Sequence, residues 1–503
     1  MCGNQAHTGG FNRAAVCVVY RCSQREIRGV DSVAMPSVSP WSESPGTEWR
    51  VTPCRTGLEI GLAADLKRVL NWWDSLAIAV SIVIGVGIFR VPAEVAQNLQ
   101  SAGLIIVAWV VAGVFCFLGA LCYSELSSTF PESGGNYVYL RESFGRGIGF
   151  LFGWTELVVI RTGSIAAVAY VFAEHLHSFL PENFLPVKVL ALAVVVSLAI
   201  VNIFGLHPSK IFQDTVTVLT LTSIAVIVVI GVFSGAGDVS NFKTEGASQE
   251  PPLVAAMGLS LIAILWTYGG WHESSFVSEE TKNPEKALPL ILISSVFLIT
   301  FIYLALNLVY IYIIPVDVIA ETPLIGVSVM NVLFGSLGEN FFALLIVVSS
   351  LGAINAMIIT GSRITYAMAK DHRIFGYLSA VDGRRGTPIR SIVLNAAWSS
   401  GLILWGSFHK LLYFTGIVFW LFFALVVCGL VVLRRKHPEI ERPFRTPGYP
   451  VVPAVFVIAC LVLMVNTLVF SPRESVFGLS LMLSGVPLFF LSKGRERRWV
   501  TRR

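Results

Sequence analysis

A chain of 503 residues with 55% hydrophobic and only 13% charged residues lacks the charge of a soluble fold that size, where about a quarter of positions are ionic. That excludes an ordinary water-soluble two-domain enzyme. The formal net charge of +5 sits in loops and tails, which fits membrane topology better than a nucleic-acid surface.

Residues 1 to about 66 are polar and rich in Ser, Pro, Gly and Arg. Ala14–Val19 is too short for the apolar part of a signal peptide. The expectation is a disordered cytoplasmic tail, with Met35 as an alternative start. Of eight cysteines, Cys2, Cys17, Cys22 and Cys54 fall in this tail; Cys116, Cys122, Cys428 and Cys460 fall in apolar runs. None has metal-ligand spacing, so no metal and no cofactor is expected.

From Asp74 onward twelve candidate spans follow: about 74–98, 102–126, 147–177, 187–205, 212–234, 253–275, 288–314, 340–369, 390–408, 411–433, 450–470 and 474–491. Runs of this length suit helices across a core about 30 Å thick, not barrel strands. The fold class read from them is an all-α membrane protein with about 12 transmembrane helices. An even count puts both termini on one side. If that side is the cytoplasm, the inner loops and the basic end 492–503 collect 23 Lys and Arg. The outer loops hold Lys188, Lys243, Lys410 and Arg473. That bias orients the chain.

Two spans are not simple helices. Span one reads Ile84-Gly85-Val86-Gly87-Ile88-Phe89-Arg90-Val91-Pro92, and span six reads Trp266-Thr267-Tyr268-Gly269-Gly270-Trp271. Paired glycines weaken a helix at mid-span, and five spans separate the first motif from the second, as an inverted five-helix repeat requires. Unwound backbone in hydrocarbon must face a ligand or a wet cavity. A half-helix N-terminus offers N–H donors to a carboxylate, and a half-helix C-terminus offers carbonyls to an ammonium. An α-amino acid carries both groups. Matched breaks in two halves point to a transporter site; the bland alternative is glycine packing between helices.

At these residues the chain resembles the amino acid–polyamine–organocation superfamily, and within it the L-type amino acid transporter-like permeases and exchangers. Ile84–Phe89 is similar to that family's Gly-Ser-Gly-Ile-Phe motif, with Val86 in the Ser position. Ala120–Leu126 with Pro131–Leu140, Glu156–Arg161, Tyr268–Trp271 and Phe276–Pro289 are similar to its other signatures. The resemblance covers about residues 70–440. It implies two inverted five-helix repeats of the LeuT type with discontinuous helices 1 and 6. The domains expected are a core at 67–434, two extra helices at 435–491 and a basic tail. It also implies sodium-independent amino acid transport, often exchange, by alternating access in a cell membrane. Carried over, backbone groups of Ile84, Val86, Gly87 and Ile88 hold the substrate carboxylate. Carbonyls of Trp266, Tyr268 and Gly269 hold the amine, with the Trp266 ring closing over the substrate.

The chain departs from the family in three places. Thr220 stands where some members carry a coupling Lys. The loop 178–188 has no Cys, so no disulfide-linked heavy chain is expected. Gly269 and Gly270 offer no carboxylate for a cationic substrate, which favours neutral amino acids. Arg90, Arg161, Thr220, Trp271 and His272 are the coupling or gate candidates. Arg90 could read an acidic side chain or snorkel to the interface. Arg161 suits an ion pair or a pathway role equally. His272 and Glu273, after the span-six break, could carry protons, or they could face the inner cavity or pack. Glu125, Glu156, Glu174 and Arg363 are expected near interfaces, paired with neighbours, and the Ser278-Glu279-Glu280 run is expected to be solvated. No GxxxxGK[ST], GxSxG or HExxH motif is present, so an enzyme is not expected. An amine or polyamine carrier of the same fold, or a non-transporting amino acid sensor, stays open as an alternative.

Overall fold

The structure is a computed structural model that describes residues 66–85, 87–181, 184–243, 252–322, 324–405, 416–470 and 472–492. The N-terminal tail, Val86 and the basic C-terminal tail lie outside the described residues. The described residues are helical, with one isolated β-bridge, Leu70 to Thr281.

The first span is two helices, α1 (Trp72–Val83) and α2 (Gly87–Leu99), bent by 44° at the break. The backbone N–H of Asn71 donates to the Asp74 carboxylate at 2.7 Å, which fixes the start of α1. Next come α3 (Ala102–Thr129), α4 (Asn136–Phe144) and α5 (Arg146–Thr155). After α5 a five-residue π turn, Glu156–Ile160, leads directly into α6 (Arg161–His177). The chain continues through α7 (Val187–Ile203), α8 (Leu206–Phe233) and α9 (Leu253–Thr267).

Past α9 the sixth span turns at 268–272 and runs on as a 3₁₀ segment, Glu273–Glu280. Then come α10 (Pro284–Ile313), α11 (Val316–Glu321), α12 (Ile325–Phe334) and α13 (Ser336–Asp371). The last elements are α14 (Ile389–Trp405), α15 (Gly416–Lys436), α16 (Val451–Phe470), α17 (Pro472–Leu483) and α18 (Gly485–Leu491).

Among the described residues seven helical stretches are long and apolar enough to cross a membrane, and the bent α1–α2 pair makes an eighth. Helix also occupies each of the other segments anticipated as spans, in shorter or bent pieces. The exterior is apolar. Val107, Val110, Val111 and Val114 expose one stripe of α3, and Val218, Val226, Val229 and Val232 do so on α8. Apolar patches of this size would be a liability in water and are ordinary against lipid.

Polar groups turn inward instead. Asn202 donates to Asn355 (2.8 Å), Asn355 to Gln213 (2.8 Å) and Ser209 to Asn202 (2.9 Å), which ties α7, α8 and α13 together. With no water in hydrocarbon, such groups must find partners in the bundle.

Further ion pairs fasten helix ends. Asp74 pairs with Lys210 (2.6 Å), Arg141 with Asp371 (2.9 Å), and Glu125 with Arg434 (2.5 Å) and Arg442 (3.3 Å). Arg363 grips Glu280 with two nitrogens, at 2.8 and 2.9 Å. The chain entering α1 is strapped to the loop after span six. Val69 and Leu70 donate to the Glu280 carbonyl, and Lys282 donates back to Leu70.

One expectation changes here. Ser278 and Glu280 are buried and Glu280 is held by Arg363, so the Ser278-Glu279-Glu280 run is not a solvated loop, although Glu279 stays partly exposed. Arg363 is fully buried and paired, its charge matched inside the protein. Glu125 and Glu156 are paired as expected, while Glu174 is exposed.

Candidate functional site

The two breaks lie against each other. A Cβ on Gly87, the first residue of α2, would stand 2.8 Å from Thr267 Cγ2, at the end of α9. Gly270 has φ +116°, a region that L side chains avoid, and a Cβ there would collide with the Ile82 side chain of α1. Glycine at both positions therefore lets the half-helices meet. The Tyr303 hydroxyl of α10 joins them. It lies 2.7 Å from the Val83 carbonyl and 3.1 Å from the Thr267 carbonyl, both at half-helix C-termini, and its single proton is shared between them. Carbonyls at such ends have lost their intrahelical donors, and a buried carbonyl without a partner is costly.

On the span-one side, Ile84 leaves helical geometry at φ −77°, ψ 78°, and α2 restarts at Gly87. The first N–H groups of α2, those of Gly87, Ile88 and Phe89, have no intrahelical acceptor. Ile84 and Ile88 are fully buried. Their backbone stands at the break, as the sequence suggested, while Val86 lies outside the described residues.

On the span-six side, the Trp266 carbonyl accepts the Gly269 N–H at 2.9 Å, and the Gly270 carbonyl accepts the Glu273 N–H at 3.0 Å. The Trp266 carbonyl is thus engaged in the turn, which leaves Tyr268 and Gly269 as the freer acceptors of the three anticipated.

Trp266 is 39% exposed, whereas Trp271 is 3% exposed. His272 sits in a sleeve of aromatic rings from Tyr123, Trp271, Phe276, Phe419 and Phe423. It is packed rather than wet. The Tyr268 ring meets Trp109 and Tyr303. A cleft beside Gly269, lined also by Phe115, Leu265 and Phe419, has a volume of about 10 Å³. That is about the room one water needs.

Arg90 stands on an exposed face of α2, four residues before Glu94. Thr220 is buried on α8, one turn beyond Thr217, whose hydroxyl lies 2.6 Å from that of Ser81 in α1. Arg161 is buried between two carboxylates, Glu156 at 3.3 Å and Glu273 at 2.5 Å.

Sequence reasoning missed Tyr303. The signal was faint: a Tyr and an Asn one turn apart, Tyr303 and Asn307, inside a span without charged residues past its first turn. It also missed that Glu273 belongs with Arg161, since 112 positions separate them. Among the described residues no cluster of His, Cys, Asp and Glu could hold a metal ion.

With this geometry in view, the comparisons with known proteins agree on one family. The family model for amino acid permeases matches residues 70–491. The chain is 31% identical over 434 residues to the cystine/glutamate transporter of Homo sapiens, covering 85% of each chain. It is 28% identical over 448 residues to the b(0,+)-type amino acid transporter 1 of Mus musculus, covering 87% of this chain and 90% of the relative. It is 29% identical over 438 residues to the large neutral amino acids transporter small subunit 2 of Rattus norvegicus, covering 86% and 82%. This chain belongs to the amino acid permease family.

Proposed function

We propose that the chain is a secondary amino acid transporter that works by alternating access, independently of sodium, with a preference for neutral amino acids. The observation that carries the reading is the pair of abutting helix breaks joined by Tyr303. Backbone groups at the first break take the substrate carboxylate: the N–H groups of Gly87 and Ile88 at the start of α2, with the backbone of Ile84 beside them. Carbonyls of Tyr268 and Gly269 take the amine, and the Trp266 ring covers the site. Such a site binds the part that all α-amino acids share, which accounts for relatives with different named substrates.

The architecture that serves this is twelve spans in two inverted five-helix repeats plus two extra helices, with both termini cytoplasmic. It follows the repeat logic of broken helices in corresponding positions. The span order puts the ion pairs of Asp74, Arg141, Glu280 and Glu125 on the cytoplasmic side, where they close the inner end. In this reading the substrate enters when the broken segments part. The preference for neutral substrates rests on Gly269 and Gly270, which place no carboxylate in the break.

The test is exchange in liposomes carrying the purified protein. They are loaded with unlabelled leucine and offered labelled leucine with and without sodium. Uptake that needs internal leucine and ignores sodium is the expected result. Uptake that requires sodium would overturn the coupling reading, and no exchange with any amino acid would overturn the function. A stronger response to glutamate than to leucine would favour an acidic substrate read by Arg90.

A further inference from the structure

A charged cluster beside the break in span six is unbalanced. Arg161 pairs with Glu273 at 2.5 Å and with Glu156 at 3.3 Å; the three side chains are 3%, 8% and 5% exposed. Two carboxylates share one guanidinium in a site closed to water. The Thr360 hydroxyl of α13 donates to Glu273 at 2.9 Å. Glu156 Oε2 makes the 3.3 Å ion pair with Arg161 Nε but accepts no well-formed hydrogen bond among the described residues. Two carboxylates against one guanidinium leave a surplus negative charge in the bundle, and the simplest relief is a proton.

The fold makes this cluster deliberately. In an α-helix, residues five apart point about 140° away from each other. Between Glu156 and Arg161 the helix widens into a π turn, closed by the Arg161 N–H on the Glu156 carbonyl. Residues five apart then stack on one face. Without that turn Glu156 and Arg161 would not meet. Gly361 opens the space for the Arg161 stem, since a Cβ there would stand 2.5 Å from Arg161 Cγ. The cluster is wired to the break. The Glu273 N–H donates to the Gly270 carbonyl, so its hold on Arg161 also holds the glycine pair.

We propose that Glu156 is a proton-binding residue whose charge state sets how firmly the sixth span is held, so that transport by this chain depends on pH. This rests on the reading of the chain as a transporter and adds a residue to it. One proton from water adds to Glu156 Oε1, leaving Oε2 facing Arg161 Nε, and departs from the same atom; no other bond changes. With Glu156 neutral, Arg161 is held by Glu273 alone and the break is locked. With Glu156 ionised, Arg161 is divided between two carboxylates and the span-six segment is freer to move.

The surrounding groups are few. Span six contributes Glu273 and His272, the latter enclosed by aromatic rings. α13 contributes Thr360 and, nearby on the same helix, Arg363, which has its own partner in Glu280. Where α14 and α17 approach the π turn, Trp398, Leu402, Phe477 and Leu481 line an apolar cavity of about 250 Å³. They bring no charge.

The experiment uses the full chain in liposomes and follows leucine exchange from about pH 5.5 to about pH 8.5. In the wild type, exchange is expected to rise with pH by at least about fivefold. Glu156→Gln holds the low rate at every pH. Glu156→Asp keeps the rise with a displaced midpoint. Infrared difference spectra between the two pH extremes contain a protonated-carboxyl band in the wild type that Glu156→Gln lacks. A wild type that exchanges leucine at a pH-independent rate overturns the proposal and leaves the transporter reading intact. So does a Gln variant with the wild-type profile. A wild type that exchanges no amino acid at any pH sinks both.

Discussion

The two helix breaks solve the same problem with different means. The first, after Val83, is made of backbone alone. It is short, its polar neighbours are the uncharged Tyr303 hydroxyl and Thr267, and α2 resumes at once with buried Ile88 and Phe89. The second, after Thr267, does not resume as an α-helix. It turns through a positive-φ glycine, enters an aromatic sleeve and becomes a 3₁₀ segment pinned by Arg161 and Arg363. The difference suggests a division of labour. A backbone-only break can present N–H groups rigidly, while a break held by charges can be held or released.

That contrast can be broken most forcefully at Arg161. Arg161→Leu removes the cation and strands Glu156 and Glu273 in the bundle, which costs about 3–5 kcal/mol when a buried pair loses one partner. A large fall in thermal stability of the detergent-purified protein is expected. A variant as stable as wild type would show that the charges do not hold span six.

The glycines should separate more finely. Gly270→Ala places a Cβ in a left-handed conformation and against Ile82, so exchange should fall by more than about tenfold. Gly87→Val drives its Cβ into Thr267 and should cause a similar or slightly smaller loss, with the protein still folded on size-exclusion chromatography. Gly85→Ala is the control. Its Cβ would have no neighbour nearer than the Ile82 carbonyl at 3.9 Å, so stability should hardly change. Equal exchange rates in all three variants would reduce the glycines to packing.

Smaller effects follow from groups that touch the site from outside. Tyr303→Phe leaves the Val83 and Thr267 carbonyls without their shared donor and should cost about 1–3 kcal/mol. A melting curve and an exchange assay read this together, and both should fall. Trp266→Ala should leave the melting temperature within error, since the ring is partly exposed, and change the ratio of leucine to glycine exchange a few-fold. An unchanged ratio would remove Trp266 from the substrate site.

The helical membrane architecture could be read from composition and run length, because hydrocarbon forbids charge over about 20 residues and that constraint is written locally in the chain. Both breaks were legible for the same reason: glycine spacing is a local signal. What was not legible is contact at a distance. Glu280 looks solvated in a Glu-rich run, yet it is buried, because Arg363 arrives from α13. Glu156 and Arg161 look too far apart in helical phase to pair, and only the π turn aligns them. Trp266 and Trp271 carry identical side chains on one motif, yet Trp266, on α9 before the turn, stays partly exposed while Trp271, after Gly270, is buried.

The central claim is that the two breaks form one site, with carboxylate on the first and amine on the second. It is tested most directly by competition against labelled leucine exchange in liposomes. The competitors are leucine, leucine methyl ester, which lacks the carboxylate, and the corresponding α-keto acid, which lacks the amine. Strong competition by leucine and little by either analogue is the predicted result. Competition by the ester or the keto acid as strong as by leucine itself would contradict the account.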